Sequence, residues 1–291
     1  MKKLFLLLLP MLLLCGCTQK TAADIAATTL PVYDFTSALC QGTPLTVTRL
    51  VTEEVSCLHN YSLNVRQVQA AEAADVIVQS GAGLEEFLHD LLQDKAVIDA
   101  SEGIGLLCAE EEPEHHDHHA HEGHSHEEDP HIWLSPENAA VMAENICRGL
   151  CQRYPQYQEI FRSNLPGLLE QLAALQAYGE QKLTGLSCRE MIPFHDGFSY
   201  FAQSFGLTIV EAVEEESGSE ASAKELIHLI ELVREHDLPA IFVEKNGSSS
   251  AASILSRETG VKVYTLDMAM SGSSYFDAMY HNIDTIKEAL Q

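Results

Sequence analysis

Histidine is the residue type in this sequence best suited to chemistry, because it is abundant and unevenly placed. The chain has 14 His among 291 residues, and half of them lie in residues 110–129 together with nine acidic residues. Neutral imidazole is a good ligand for borderline metals such as Zn²⁺. A merely solvated acidic loop would need only carboxylates, so this segment, which has no apolar side to bury, is predicted to be a metal-collecting loop. Its auxiliary ligands are His115, His116, His118, His119, His121, His124 and His126.

Four residues outside this loop could form a tighter site. His195 and Asp267 directly follow predicted strands, and His59 follows another strand after a short connection. Ligand sites in parallel α/β sheets lie beyond the carboxyl ends of the strands, so these side chains should converge. His131 lies at the end of the His-rich loop, just before a predicted helix. Three imidazoles and one carboxylate make a four-coordinate set that suits Zn²⁺, and the sequence therefore predicts a zinc site.

Each of these residues also has an ordinary structural interpretation. A single His after a strand is often only hydrogen-bonded, and Asp267 could be a turn or cap residue. The prediction therefore depends on the set rather than on one member. The remaining histidines lie within predicted helices and are interpreted as structural; they are His89, His228, His236 and His281.

The elements that must position these residues alternate between strand-like and helix-like patterns. This order predicts an α/β fold of two lobes, each a mainly parallel sheet with flanking helices, with the metal in the cleft between the lobes. We expect an N-terminal lobe over 30–153 and a C-terminal lobe over 187–291, joined by a connector helix within 154–186 that Pro166 could kink. Strands are predicted at 45–51, 75–78, 96–99, 190–194, 240–243 and 261–264, and helices at 85–92, 198–205, 222–235 and 276–290.

The N-terminus has the pattern of an export signal. Two lysines precede an apolar run over 4–14 that is too short to span a bilayer, and the run ends in a Gly-Cys pair that resembles the lipobox of bacterial lipoproteins. We expect a signal peptide over 1–16, lipidation of Cys17, and a spacer over 17–29. The mature chain would then be extracytoplasmic and anchored to the cell membrane by its lipid.

Charge and cysteine content set further limits. The formal net charge of −26 excludes a surface built to neutralise phosphates, so no nucleic-acid partner is expected. Disulfides are permitted in an exported protein, but no spacing selects a pairing. The six cysteines left after the proposed processing are Cys40, Cys57, Cys108, Cys147, Cys151 and Cys188.

Several motifs, taken in order, resemble the metal-binding solute-binding lipoproteins of ABC importers for zinc and manganese. The segment at 129–136 reads DPHIWLSP where the family has DPHVWLDP, and 194–198 reads FHDGF where the family has FHDAF. Further matching segments lie at 30–34, 73–78, 80–85, 241–244, 258–260, 266–267 and 280–284.

This resemblance implies a non-enzymatic protein that captures Zn²⁺ and hands it to an ABC permease, and we expect it to be a monomer. It assigns the ligand roles to His59, His131, His195 and Asp267. Manganese members of the family carry Glu at the third position, so a His there favours zinc. The chain departs from the family at 55–59, where VSCLH replaces GASPH. Cys57 could therefore be an extra ligand, although packing or a disulfide with Cys40 is the simpler interpretation.

Two other functions remain open at this point. A manganese- or iron-binding importer component would use the same fold with different metal selectivity. A secreted zinc hydrolase would need an open coordination position and a general base, but the sequence has no HExxH motif and no GxSxG motif. An added adhesin role would leave no pattern in the sequence.

Overall fold

The structure is a computed structural model that describes residues 23–55, 58, 61–93, 95–107, 128–213 and 221–291. Within these ranges it confirms the predicted class of two α/β lobes with parallel sheets and flanking helices. None of the helices it describes is long and apolar enough to cross a membrane. The predictions that fall outside the described residues concern the signal peptide over 1–16, Cys17, Cys57, His59, Cys108 and the seven histidines of the His-rich loop.

The first lobe is built on a four-stranded parallel sheet with the strand order β2-β1-β3-β4. Its elements are β1 (Ile25–Ala27), α1 (Leu30–Leu39), β2 (Val47–Arg49), α2 (Val65–Ala73), β3 (Val76–Gln79), α3 (His89–Leu92) and β4 (Val97–Asp99). The predicted spacer over 17–29 is wrong in its last residues, because β1 is a central strand whose three residues are completely buried. Three apolar residues are too short a run to show a strand period.

The predicted helix at 85–92 begins one residue later in the structure and is divided into two short turns. A 3-10 turn covers Glu86–Leu88 and α3 adds a single helical turn. The buried Glu85 carboxylate instead accepts hydrogen bonds from Thr28 Oγ1 at 2.6 Å, Ser80 N at 2.7 Å and Gly81 N at 3.0 Å. These bonds tie the ends of β1 and β3 together, so Glu85 is a structural acceptor rather than a helical residue.

Two long helices connect the lobes, α4 (Pro136–Arg153) and α5 (Gln158–Lys182). Ser135 caps α4 by accepting a hydrogen bond from Asn138 N, as its position before Pro136 predicts. The 25-residue α5 lies inside the predicted connector at 154–186 and continues through Pro166.

The second lobe contains two parallel strand pairs, β5-β6 and β7-β8, joined by a bridge between Pro193 and Phe242. Its elements are β5 (Glu190–Met191), α6 (Ser199–Phe205), β6 (Thr208–Ile209), α7 (Ala223–Glu235), β7 (Ala240–Glu244), α8 (Ser250–Thr259), β8 (Lys262–Leu266) and α9 (Tyr275–Leu290). The strand predicted at 190–194 ends early as a regular ladder because Pro193 has no N–H to donate. Strand β6 and helix α8 were not predicted.

Side chains from both lobes pack into one shared apolar cluster, to which α4 and α5 both contribute. Specific hydrogen bonds cross the boundary: Trp133 Nε1 donates to Met268 O at 2.8 Å, and Tyr275 Oη donates to Trp133 O at 2.8 Å. Tyr275 N also donates to Asp34 Oδ2 at 2.8 Å. The two lobes are therefore held in a defined relative position.

Replacing Glu85 with Ala should lower the free energy of unfolding by about 3 kcal/mol, because it leaves buried donors without an acceptor. Burial raises the pKa of Glu85 to about 7, partly offset by its three hydrogen bonds. Between about pH 4.5 and 7 the folded state thus holds a proton that the unfolded chain has lost, so stability contributed by Glu85 declines as pH rises through this range. Urea unfolding should show a larger cost of Glu85→Ala at pH 5 than at pH 8. The exposed neighbour Glu86→Ala is the control, and equal stability of the two variants would contradict the assignment.

Candidate metal centre

The candidate centre lies where strands of the second lobe end and the first lobe packs against them. His195 follows the extension of β5 that bridges to β7, Glu244 is the last residue of β7, and Asp267 follows β8. Because these strands are parallel, their carboxyl ends meet at one edge, as predicted for His195 and Asp267. The first lobe contributes His131, which precedes the 3-10 turn Ile132–Leu134 ahead of α4.

The structure brings two of the predicted ligands into direct contact. The Nε2 atoms of His131 and His195 lie 3.3 Å apart. Their ring centroids are 5.1 Å apart and the rings are nearly perpendicular, with an interplanar angle of 86°. One imidazole comes from each lobe, so the contact joins the two lobes.

Each imidazole has a buried carboxylate behind it. Asp129 Oδ1 lies 2.8 Å from His131 Nδ1 and also accepts a hydrogen bond from His131 N at 2.9 Å. Glu244 Oε1 lies 3.3 Å from His195 Nδ1. A carboxylate at Nδ1 favours the tautomer with its proton there, which leaves Nε2 available for a metal. Sequence reasoning did not assign this role to Asp129 or Glu244, although both lie in the motifs that carried the family resemblance.

Asp267 is held firmly at the same edge. Its backbone exchanges two hydrogen bonds with the Asn282 side chain, at 2.8 and 2.7 Å. Its Oδ1 accepts a hydrogen bond from Ala269 N at 2.9 Å, and its Oδ2 lies 3.1 Å from Lys245 Nζ. The carboxylate is thus paired with an ammonium group.

Met268, the residue after Asp267, lies close to both imidazoles. A methyl group placed on Gly197 would lie 2.7 Å from His195 Cδ2, 2.8 Å from Met268 Cε and 3.0 Å from His131 Cε1. These three side chains therefore surround one point, which puts the start of the Asp267 loop beside the imidazole pair.

The predicted four-ligand set is only partly assembled in the described part of the chain. Across residues 23–55, 58, 61–93, 95–107, 128–213 and 221–291, no three His, Cys, Asp or Glu side chains group closely enough to hold a metal ion. His131 and His195 form a pair, Asp267 faces Lys245, and His59 lies outside the described residues.

The two ends of the His-rich loop are closed together beside the site. Asp129 N donates to Leu107 O at 2.9 Å. Tyr200 of the second lobe bridges the same two residues, since its Oη accepts from Leu107 N at 2.9 Å and donates to Asp129 O at 3.0 Å. Leu107 and Asp129 are therefore hydrogen-bonded neighbours, and together with Tyr200 they form what we call the closed neck. Asp129 of this neck is also the carboxylate partner of His131.

Two other histidines of the described residues lie beside carboxylates. His228 lies 2.8 Å from Glu211 and His236 lies 3.1 Å from Glu190. Burial raises the pKa of the Cys40 thiol to about 12, so this group is a packed thiol. The cysteines that the structure describes are all free; they are Cys40, Cys147, Cys151 and Cys188.

Comparison with known proteins identifies relatives that are named as zinc-uptake or metal-binding proteins. Residues 25–289 match the family model described as ZnuA, zinc-uptake complex component A, periplasmic. The zinc-binding lipoprotein AdcA of Streptococcus pneumoniae serotype 4 is 32% identical over 307 residues, covering 99% of this chain and 61% of the relative. The chain thus spans about three fifths of the length of AdcA. A putative metal-binding protein of Treponema pallidum is 30% identical, over 79% of this chain and 76% of the relative.

Solved structures of ZnuA and of a ZnuA-like domain have the same fold as this chain. A crystal structure of ZnuA superposes with a TM-score of 0.79 at 28% identity, covering 93% of this chain and all of that chain. The Zn(II)-bound ZnuA-like domain of Streptococcus pneumoniae AdcA superposes with a TM-score of 0.75 at 28% identity, covering 92% of this chain and 99% of that chain. With a family match over nearly its whole described length and an imidazole pair where its lobes meet, the chain belongs to the ZnuA family of zinc-uptake components.

Proposed function

We propose that this protein captures Zn²⁺ outside the cytoplasm and delivers it to an ABC permease for uptake. The cargo ion would be bound by His131 and His195, with His59 and Asp267 completing the coordination. The protein would be a monomer without enzymatic activity, held at the cell membrane through lipid on Cys17. The names of the relatives, a zinc-uptake component and a zinc-binding lipoprotein, support this proposal.

The separation of the two imidazole nitrogens carries the proposal. Zinc–nitrogen bonds are about 2.0–2.1 Å long, so two nitrogens at corners of a tetrahedral site lie about 3.3 Å apart. The observed distance between His131 Nε2 and His195 Nε2 is 3.3 Å. This spacing is therefore suited to two nitrogens that share one metal ion.

The carboxylates behind the rings prepare both ligands for binding. Asp129 and Glu244 are 9% and 6% exposed, and each lies against an Nδ1 atom. Such partners fix ring orientation and raise the basicity of the coordinating nitrogen. His131 is only 1% exposed, whereas the His195 side chain keeps 16% of its surface accessible, which suggests that the ion approaches from the side of His195.

Nitrogen ligands also favour zinc over manganese. Manganese prefers oxygen-rich sites, and a Glu at the position of His195 would have supplied one more oxygen ligand. The net charge of −26 attracts cations in general, although salt limits that attraction to about 8 Å at physiological ionic strength. Selectivity must therefore come from the imidazole pair rather than from the overall charge.

Replacing His195 with Ala should weaken zinc binding by about 100-fold or more, because one metal–nitrogen bond is lost from a small coordination sphere. Isothermal titration calorimetry with a competing chelator measures the affinity. His228→Ala is the matched control, since His228 is also paired with a carboxylate but lies outside the site. Unchanged tight binding by the His195 variant would refute the proposed site.

Asp129→Asn and Glu244→Gln should each weaken zinc binding by about 10- to 100-fold while leaving both imidazoles in place, since carboxylate partners of metal-bound histidines contribute at this level. The same calorimetric competition applies. Glu211→Gln removes the carboxylate from the exposed His228 pair and should leave affinity unchanged. Equal affinities of all three variants would show that the carboxylates do not support the ligands.

Deleting residues 114–126 should remove weaker zinc equivalents and leave the tight site intact. The closed neck formed by Leu107, Asp129 and Tyr200 gives the reason, because it lies outside the deleted segment and keeps Asp129 against His131. Zinc stoichiometry from metal analysis, combined with the affinity of the tight site, checks this. A deletion variant that loses the tight site would contradict the separation of the two functions.

A further inference from the structure

Lys245 occupies an unusual place for a cation, directly beside a proposed metal ligand. Its Nζ lies 3.1 Å from Asp267 Oδ2. The geometry follows from strand pairing: Glu244 of β7 lies opposite Leu266 of β8, and Lys245 N donates to Leu266 O at 2.8 Å. The next residues on the two strands, Lys245 and Asp267, are therefore neighbours.

Each oxygen of the Asp267 carboxylate has one partner in this arrangement. Its Oδ1 accepts from Ala269 N, its Oδ2 contacts Lys245, and its backbone is fixed by Asn282. The Asp267 side chain is 13% exposed, whereas the Lys245 side chain is 46% exposed. The carboxylate is thus held in place, while the ammonium group is at the end of a flexible, partly solvated stem that can move away.

We propose that Lys245 is a built-in competitor for the zinc ion. In the metal-free site its ammonium group neutralises Asp267, and Zn²⁺ must displace it to use that carboxylate. This lowers affinity and speeds release, because the returning ammonium replaces the departing metal. The inference rests on the proposed function and adds a residue that tunes delivery of the cargo to the permease.

The charges on the two cations make the competition unavoidable. A divalent ion and an ammonium group a few ångströms apart repel each other, and the carboxylate can neutralise only one unit of charge. Lys245 remains partly solvated, so its influence is moderate and depends on ionic strength. Moderate competition suits a carrier, which must both hold and surrender its ion.

Lys245→Met should tighten zinc binding by about tenfold, the effect of removing one partly solvated unit charge within a few ångströms of a divalent ion. It should also slow zinc release by a comparable factor in a stopped-flow chase with excess chelator. Lys262→Met is the matched control, because it makes the same change in net charge at the opposite end of the neighbouring strand. Lys245→Arg keeps the charge and should retain most of the wild-type release rate.

Two further measurements separate competition from a structural effect. The affinity ratio of Lys245→Met to wild type should shrink as salt is raised, because screening weakens the repulsion. In an Asp267→Asn background the added Lys245→Met change should have a much smaller effect. Unchanged or weaker binding by Lys245→Met, or an equal gain in Lys262→Met, would overturn the inference. If binding requires His195 and Lys245→Met has no effect, only this inference fails; if His195 is dispensable, the proposed function fails as well.

Discussion

The site depends on keeping two ring nitrogens from different lobes at a fixed short distance. The 3.3 Å between His131 Nε2 and His195 Nε2 can persist only if the lobes do not move independently. The apolar cluster shared by the lobes and the Trp133 hydrogen bond to Met268 provide that restraint. Well-packed interiors deform little, so this packing fixes the separation of the two nitrogens. When the protein binds a ligand, we therefore expect side chains and loops to move more readily than the two lobes move relative to each other.

The charged side chains around the imidazole pair are the second constraint on this region. Asp129 and Glu244 lie behind the two imidazoles, and Asp267 lies at the strand edge in contact with Lys245. In the proposed function the first two carboxylates would act through the imidazoles, whereas Asp267 would meet the ion directly. Only Asp267 would then be open to competition from an ammonium group.

Sequence patterns predicted the fold class and the strand edge at which His195 and Asp267 lie, because strand ends and motif order are local features. The position of His195 after a strand was sufficient to place it at the carboxyl edge of a sheet. Strand β1 was missed because three buried residues carry no period, and β6 is shorter still. Glu244 and Lys245 were missed for another reason. Glu244 lies against His195 because Pro193 bridges to Phe242, and Lys245 lies against Asp267 because β7 pairs with β8, and both are tertiary contacts.

The position of Trp133 makes the region between the lobes accessible to fluorescence measurements. It is the only tryptophan in the chain, its ring centroid lies 5.4 Å from that of His131, and its indole N–H is bonded to the backbone next to Asp267. Indole emission responds to the charge and hydrogen bonding of its immediate neighbours, and no second indole contributes a background signal. The molecule thus contains one indole fluorophore, located at the junction of both lobes, and its ultraviolet emission should respond to changes at His131 and at the backbone beside Asp267.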